Sequence, residues 1–503
     1  MPIVLRRSIW AAIGCATLAL AVVSGGSFFS FHHVFAASSS VQLRQLSSDP
    51  YTNSSSQHQT EVEPDTYAFG STLVTAFQAG RFYSGGGSSN IGWATSTDQG
   101  TTWKHGFLSG ITVYAGGMYN RASDPAVAYD AAHNSWLISS LALSVKNGTV
   151  IGVAVLISRS TDGGLTWGKP IVVAAAGSND YLDKEWVVCD ETVNSPYYGH
   201  CYVEWDNRNL NSRILMSTST NGGLTWATPT SPQHQSFSAL GGQPLVQPSG
   251  NVIVPIYGTD LTTNLDHIYA YTSTNGGASW NDPVVVSPVT YHIQQATYRG
   301  GSLPSAEIDS AGKVYVVWAD CRFETNCLAD DIVMSTSTDG VTWTAVQRIP
   351  IDPVGSGVDH FTTGLAVDKS MAGSQARLAL AFYYFANTNC TNATCQLYAG
   401  FVSSVNGGAS WSPNTQLAGP MSLKWLANTT DGYMIGDYIS TSIVGNQAFP
   451  AIPVAFAPQK KTLRESMYTV ALTVVGGLIK TGRDAIMVTP HPQTRNANHL
   501  TAN

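Results

Sequence analysis

The feature that most constrains the fold is an eight-residue phrase that recurs along the chain. Its clearest copy is Ser-Thr-Asp-Gly-Gly-Leu-Thr-Trp at residues 160–167, with further copies at 96–103, 219–226, 273–280 and 404–411 and one a residue shorter at 337–343. The closing tryptophans (Trp103, Trp167, Trp226, Trp280, Trp343 and Trp411) are separated by as few as 54 residues (Trp226 to Trp280) and as many as 68 (Trp343 to Trp411). Self-similarity at that period points to a repeat architecture. Within a copy, Asp or Asn caps the backbone two residues on, Gly supplies a positive φ, and Trp is a large apolar anchor. The phrase reads as a hairpin turn that delivers a wedge into a core.

The intervals between phrases repeat as well. In the second unit an apolar strand at 126–129 is followed by a turn at 130–134, a strand at 136–143, a strand at 150–158, the phrase, and a strand at 171–174. Four antiparallel strands in a unit of about 60 residues describe a propeller blade. First strands fall near Ala68, Ala126, Trp186, Leu245, Ala306, Leu365 and Ile439. The last unit, 438–475, has no phrase and lacks a fourth strand, which the isolated segment 41–46 would supply. The expectation is an all-β fold, a β-propeller of four-stranded antiparallel blades. Seven blades are expected, with six as the alternative, the ring closed by an N-terminal strand that removes its open edges.

A repeat fold accommodates 503 residues without a single large core. Charged residues are 11% of the chain, against roughly 25% in average globular proteins, and Gly, Ser, Thr, Asn, Tyr and Trp take their place. The net charge is −7 with no run of Lys or Arg, which argues against a nucleic-acid partner. Arg6 and Arg7 precede an uncharged, mostly apolar stretch at 9–23, and small residues follow at Ala36 and Ala37. This is the order of a secretory signal, expected over residues 1–37. An uncleaved anchor is the rival, but the stretch is shorter than the roughly 18–20 residues a spanning helix needs. The propeller is expected over 38–481 and a polar, disordered tail over 482–503. Setting aside Cys15, six cysteines form three local pairs: Cys189 with Cys201, Cys321 with Cys327, and Cys390 with Cys395. In an exported chain they read as disulfides. A secreted or cell-surface monomer follows, touching a membrane only through its N-terminal segment.

Strand direction then separates scaffold from site. In an antiparallel blade the phrases all lie on one face, and the loops that enter each blade lie on the other. Those entry loops carry Glu61, Glu63 and Asp65; Arg121 and Asp124; Asp183, Lys184 and Glu185; Gln243; Tyr298 and Arg299; Asp359 and His360; Asp437 and Tyr438. In a ring they converge on one depression, with carboxylates for acid–base work and arginines for an anionic sugar. Asp124, Asp183, Glu185 and Tyr438 are the catalytic candidates; Glu63, Arg121, Arg299, Arg322 and Asp437 are the substrate-binding ones. Against this stands a plainer reading, in which such residues cap strands and link neighbouring blades. Arg208 and Arg322 each follow an Asp by two residues (Asp206, Asp320), a spacing that suits loop-locking ion pairs. No histidines stand at metal-ligand spacing, so no metal or other cofactor is expected, although Asp-rich loops such as Asp330-Asp331 are compatible with a structural Ca²⁺.

The phrase Ser-x-Asp-x-Gly-x-Thr-Trp resembles the Asp-box, or BNR repeat, of the sialidase superfamily, and the chain looks like a secreted bacterial member. The resemblance implies a propeller and an exo-sialidase-like glycoside hydrolase. Arg322 and Tyr438, the latter in Tyr-Ile-Ser-Thr-Ser, match a carboxylate-binding arginine and the nucleophilic tyrosine of that family. Val62-Glu63-Pro64 stands where the family has Arg-Ile-Pro, residues 82–90 lack the expected acid, and Ser302-Leu303-Pro304 replaces Asn-Glu-Pro. Two functions are therefore carried forward: a propeller that acts on glycans through a non-standard site, or a non-catalytic propeller that binds carbohydrate or protein. A purely structural surface component is a third.

Overall fold

Strands such as Cys201–Asn207, Val314–Asp320 and Leu378–Phe385 are buried on both faces almost throughout. An apolar run of that length needs cover above and below it, and here neighbouring sheets supply the cover. A computed structural model describes residues 41–294, 296–477 and 479–480, the last two without their side chains. The expected signal segment and tail lie outside them. Regular structure among the described residues is entirely β apart from short 3₁₀ turns.

The strands form antiparallel meanders in chain order. The first runs through Glu61–Phe69, Thr72–Arg81, Ser88–Ser96 and Lys104–Phe107; the second through Arg121–Asp130, Ser135–Lys146, Thr149–Ser160 and Ile171–Ala175. A single pairing, Ser88 with Ala122, joins them into one larger sheet. In the fourth unit two short strands, Phe237–Leu240 and Leu245–Val246, share the position of one inner strand beside Val252–Asp260. The last unit runs Ser440–Val444, Gln447–Ala455, Glu465–Thr469, and its outer strand pairs with Arg44–Gln45 from the start of the chain.

The three disulfides join the expected cysteines, each in a different setting. Cys189 bonds Cys201 between paired positions of two adjacent strands, Leu182–Cys189 and Cys201–Asn207. Cys321 bonds Cys327 and closes the loop that follows strand Val314–Asp320; Cys321 is buried there, while Cys327 is half-buried at the end of a 3₁₀ turn with φ of 54°. Cys390 bonds Cys395 in the loop between Leu378–Phe385 and Gln396–Ser404, and both are buried. None of the six belongs to the ion cluster described below, so the cysteines are scaffold.

Successive sheets pack face to face. Tyr315, Val317 and Met334 meet Leu378, Phe382 and Trp411, while Phe77 and Ala94 of the first sheet meet Ala451 and Met467 of the last. The innermost strands of all these sheets surround one cavity of about 560 Å³. It is bounded by residues 65–70, Val127, 186–189, 243–246, 305–310, 365–370 and 439–445, among others.

The repeated turn is a closed hydrogen-bond unit. Ser160 Oγ donates to Asp162 Oδ1 (2.7 Å), the amide of Gly164 donates to Ser160 Oγ (2.9 Å), and the amide of Thr166 donates to Asp162 Oδ1 (2.9 Å). The cap therefore reaches four residues on, rather than only the two expected. Thr166 Oγ1 also bonds Asp162 Oδ2. Desolvation pushes the Asp162 carboxyl up, but these donors together outweigh it and hold the group down at about 2. The tryptophan is less of a wedge than the sequence suggests. Only Trp280 and Trp411 are buried, and the others lie half-buried. Five of the six indole N–H groups bond the carbonyl of a glycine in their own turn, as Trp167 does to Gly164 (3.1 Å). The element that reaches the neighbouring sheet is that glycine. A Cβ on Gly164 would come within 2.8 Å of Val74, and one on Gly340 within 2.7 Å of Thr272; on Gly100, in the first copy, it would come within 2.3 Å of Phe449 in the last sheet. Positive φ and contact with the next sheet thus demand glycine for two separate reasons.

Candidate functional site

Three inner strands open with the same irregularity. Register slips by one residue between Val62 and Asp65, between Ser123 and Ala126, and between Asp183 and Trp186, each opposite a continuous partner strand. These are β-bulges, which re-aim a side chain at the cost of a ladder bond. The bulged residues Glu63, Asp124 and Lys184 have φ of 52°, 48° and 49°, a left-handed conformation that costs a non-glycine residue about 1 kcal/mol or more. A fourth bulge puts Thr362 at φ 47°. Proline follows Glu63 and Asp124, at positions where the bulge removes the need for an N–H.

The three strained residues meet. Lys184 Nζ lies 2.7 Å from Asp124 Oδ1, 2.7 Å from Asp437 Oδ2 and 3.4 Å from Glu63 Oε1. Arg299 grips the same Asp437 with two bonds, Nε to Oδ1 (2.7 Å) and Nη2 to Oδ2 (2.6 Å), and stands 3.7 Å from Asp431. Gln78 Nε2 donates to Glu63 Oε2 and to Ser123 Oγ. The cluster is buried, with the Lys184 side chain only 4% exposed. Burial alone lowers an ammonium's pKa, but Asp124, Asp437 and Glu63 outweigh it and hold Lys184 well above its ordinary value. Asp437 is held well below its own value: burial pushes it up, but Arg299 and Lys184 pull harder. Glu63 is pushed up to about 7 by burial, against the pull of Lys184 and with help from Asp437 and Asp124.

A second group adjoins this one. Asp183 and Arg208 approach to 3.8 Å, and the Arg208 guanidinium lies over the Tyr181 ring. Burial, aided by Asp124, pushes Asp183 up to about 6, with Arg208 and Lys184 opposing. Arg81, Asp124, Tyr181, Asp183, Lys184 and Arg299 border a residual space of about 10 Å³, room for one water molecule. Glu185 takes no part in these ion pairs. Both its oxygens lack a hydrogen-bond partner among the described residues, and burial, then Asp124, push its carboxyl well above the usual range.

The structure therefore brings Glu63, Asp124, Asp183, Arg299 and Asp437 together. Glu63 and Asp124 both touch one nitrogen, so those two oxygens are no more than about 6 Å apart, and the group between them is the Lys184 ammonium rather than a sugar. Tyr438 is buried at the edge, its hydroxyl donating to the carbonyl of Pro125 (3.1 Å) and its ring against Trp186. Arg121 lies over the Phe82 ring and donates to the carbonyls of Ser84 and Gly86. Arg322 stands apart, paired through two bonds with Asp320 (2.9 and 2.6 Å). Asp65 accepts the amide of Val127 (2.7 Å) and Gln243 that of Ala306 (2.8 Å), so both link successive sheets. Lys184 is the residue whose central place the sequence reading missed. The acid-proline pairs Glu63-Pro64 and Asp124-Pro125 were the available sign of bulges, and Lys184 holds the corresponding position in the next repeat.

Two further places bear on ligands. Asp331, Asp352 and His360 bring ligand atoms within 4.8 Å of one another, but Arg348 Nη2 already bridges Asp331 (2.6 Å) and Asp352 (2.7 Å). A pocket of about 50 Å³ is walled by Tyr257, Tyr291, Tyr298 and Phe361, with His292, Ile293 and Gln294 beside them. It adjoins the ion cluster through the backbone from Tyr298 through Arg299 to Gly300.

Residues 146–366, which contain four copies of the turn, match the family model described as a BNR repeat-like domain. No curated protein matches it significantly. Similar solved structures include the NanB sialidase of Streptococcus pneumoniae (14% identity over 86% of this chain and 70% of that one, TM-score 0.42). Others are an α-L-arabinofuranosidase of Fusarium graminearum (11% identity, 72% and 98%, TM-score 0.43) and a polysaccharide lyase acting on ulvan (11% identity, 86% and 97%, TM-score 0.47).

Proposed function

We propose that this chain is an exported, glycan-binding propeller of seven four-stranded blades whose axial carboxylates hold the scaffold together rather than cleave a glycosidic bond. Pairing of Arg44–Gln45 with Glu465–Thr469 closes the ring in this reading, and three disulfides fit an oxidising compartment. One observation carries the choice of binding over hydrolysis: the Lys184 ammonium lies among the carboxylates that would have to flank a sugar. The residual space beside it is about 10 Å³, a fifth of that in the aromatic pocket. The neighbouring pocket, with its aromatic walls and polar His292 and Gln294, has the mixed lining of a small-molecule site.

The test is a glycan array probed with the purified protein, followed by a sugar-release assay on sialosides and uronic-acid polysaccharides. Binding without release is expected, weakened at least tenfold by Ile293→Asp at the exposed rim of the aromatic pocket. Silence on the array would overturn the glycan reading. Sugar release abolished by Asp183→Asn would overturn the binding-only reading in favour of a hydrolase. That second reading rests on Asp183 itself, which borders the residual space beside Arg299 and is held at about 6, within reach of acid–base work near neutrality.

A further inference from the structure

One end of the 560 Å³ cavity lies next to the ion cluster. Its lining along three inner strands stops at Asp65, Trp186 and Ile439, two residues short of Glu63, Lys184 and Asp437. The other end is bordered by the hairpins that follow the inner strands, including Phe69 and Gly70, Asp309 and Ser310, Lys369 and Ser370, and Val444 and Gly445. It is a well, and its mouth is on the side of the repeated turns.

One cation reaches into this well. Lys369, from the loop after strand Asp359–Val367, places Nζ 4.0 Å from the centre of the Tyr67 ring and 3.6 Å from Glu191 Oε2, and it donates to the Tyr67 hydroxyl. Glu307 borders the same well and feels the same ammonium. Two carboxylates thus share one lysine. Glu191 Oε1 has no hydrogen-bond partner among the described residues. The lysine is held weakly: its side chain is 39% exposed, its loop lies outside the sheet, and such pairs contribute little to folding. An aromatic face with carboxylates beside it is the chemistry that recognises an ammonium ion.

We propose that the well is a binding site for a primary ammonium group, and that Lys369 occupies it as a tethered competitor which a ligand amine displaces. A tethered group competes at high effective concentration, so removing it exposes the site at full strength. The well and the aromatic pocket share no lining residue, so amine binding here is independent of glycan binding there.

Calorimetric titration of the full chain tests it, with diglucosamine, lysine amide and N,N′-diacetylchitobiose as probes. Lys369→Ala is expected to bind at least one of the two amines tenfold or more tighter than the unsubstituted protein, and Glu191→Gln in that background to weaken binding tenfold or more. The acetylated sugar, which has no ammonium, is expected to bind no more tightly to Lys369→Ala than to the unsubstituted protein. Diglucosamine alone would identify an amino sugar as the source, lysine amide alone a peptide. No gain in Lys369→Ala, binding indifferent to Glu191→Gln, or preference for Ca²⁺ over both amines would overturn the proposal. Failure of glycan binding is told apart because it depends on Ile293 and not on Lys369.

Discussion

The two ends of the central cavity use the same side-chain chemistry to opposite effect. At the closed end a lysine lies 4% exposed among three carboxylates, with an arginine locking one of them and about 10 Å³ left over. At the open end a lysine lies 39% exposed against Glu191 and a tyrosine ring, with Glu307 nearby, in a space of about 560 Å³. Depth accounts for the difference. A fully desolvated charge must be matched completely or the fold does not hold, whereas a charge near water is free to leave its partner. Bulges supply the depth at the closed end by turning Glu63, Asp124 and Lys184 inward. The open end has regular strands that finish in hairpins.

The contrast is broken most severely by Lys184→Met. It leaves Glu63 and Asp124 without their cation and Asp437 with Arg299 alone, and is expected to cost about 3–5 kcal/mol, measured by urea denaturation. A loss below about 1 kcal/mol, the level of an exposed pair, would mean the closed end is solvated after all.

The next effect concerns pH and sets Glu307 of the open end against Asp437 of the closed end. Burial holds the Glu307 carboxyl up at about 7, with Lys369 opposing. Between the ordinary carboxylate range and pH 7 the folded chain keeps that proton and the unfolded chain has lost it, so this group makes stability fall as pH rises. Glu307→Gln is expected to remove that fall, a gain over the unsubstituted protein of about 1–2 kcal/mol between pH 5 and pH 8. Asp437 acts in the other direction. Its folded pKa is depressed, so its contribution is present above the ordinary carboxylate range and lost as pH falls through its folded value. Urea denaturation at pH 3, 5 and 8 resolves both signs.

Lys369→Ala should matter least to folding, by less than about 1 kcal/mol, because its charge is half in water. A melting temperature several degrees lower would show that the lysine is part of the scaffold and would erase the distinction between the ends.

Much of the scaffold was legible from local pattern. The residues expected to mark inner strands fall in Glu61–Phe69, Arg121–Asp130, Leu182–Cys189, Leu245–Val246, Ser305–Ile308 and Asp359–Val367, and Ile439 directly precedes Ser440–Val444. The cysteine pairs formed because each is local: Cys189 reaches Cys201 across 12 residues, Cys321 reaches Cys327 across 6, and Cys390 reaches Cys395 across 5. Arg322 with Asp320 took the loop-locking arrangement that its spacing allowed. The entry loops were expected to converge on one depression, and several of their charged residues do meet. Glu63, Asp124, Lys184, Arg299 and Asp437 converge, but they fill the space between them, and the wide cavity opens on the side of the repeated turns.

The sequence by itself determined what depends on near neighbours: the Ser-x-Asp turn whose bonds close within four residues, the period of the strands, and the local disulfides. The tertiary structure decided which charges meet. Lys184 finds Glu63 across 121 positions and Asp437 across 253, and no local pattern fixes whether carboxylates so far apart will close upon an ammonium or leave a well. That outcome follows from one-residue bulges in the inner strands, which turn side chains inward only once the neighbouring sheets are in place to receive them.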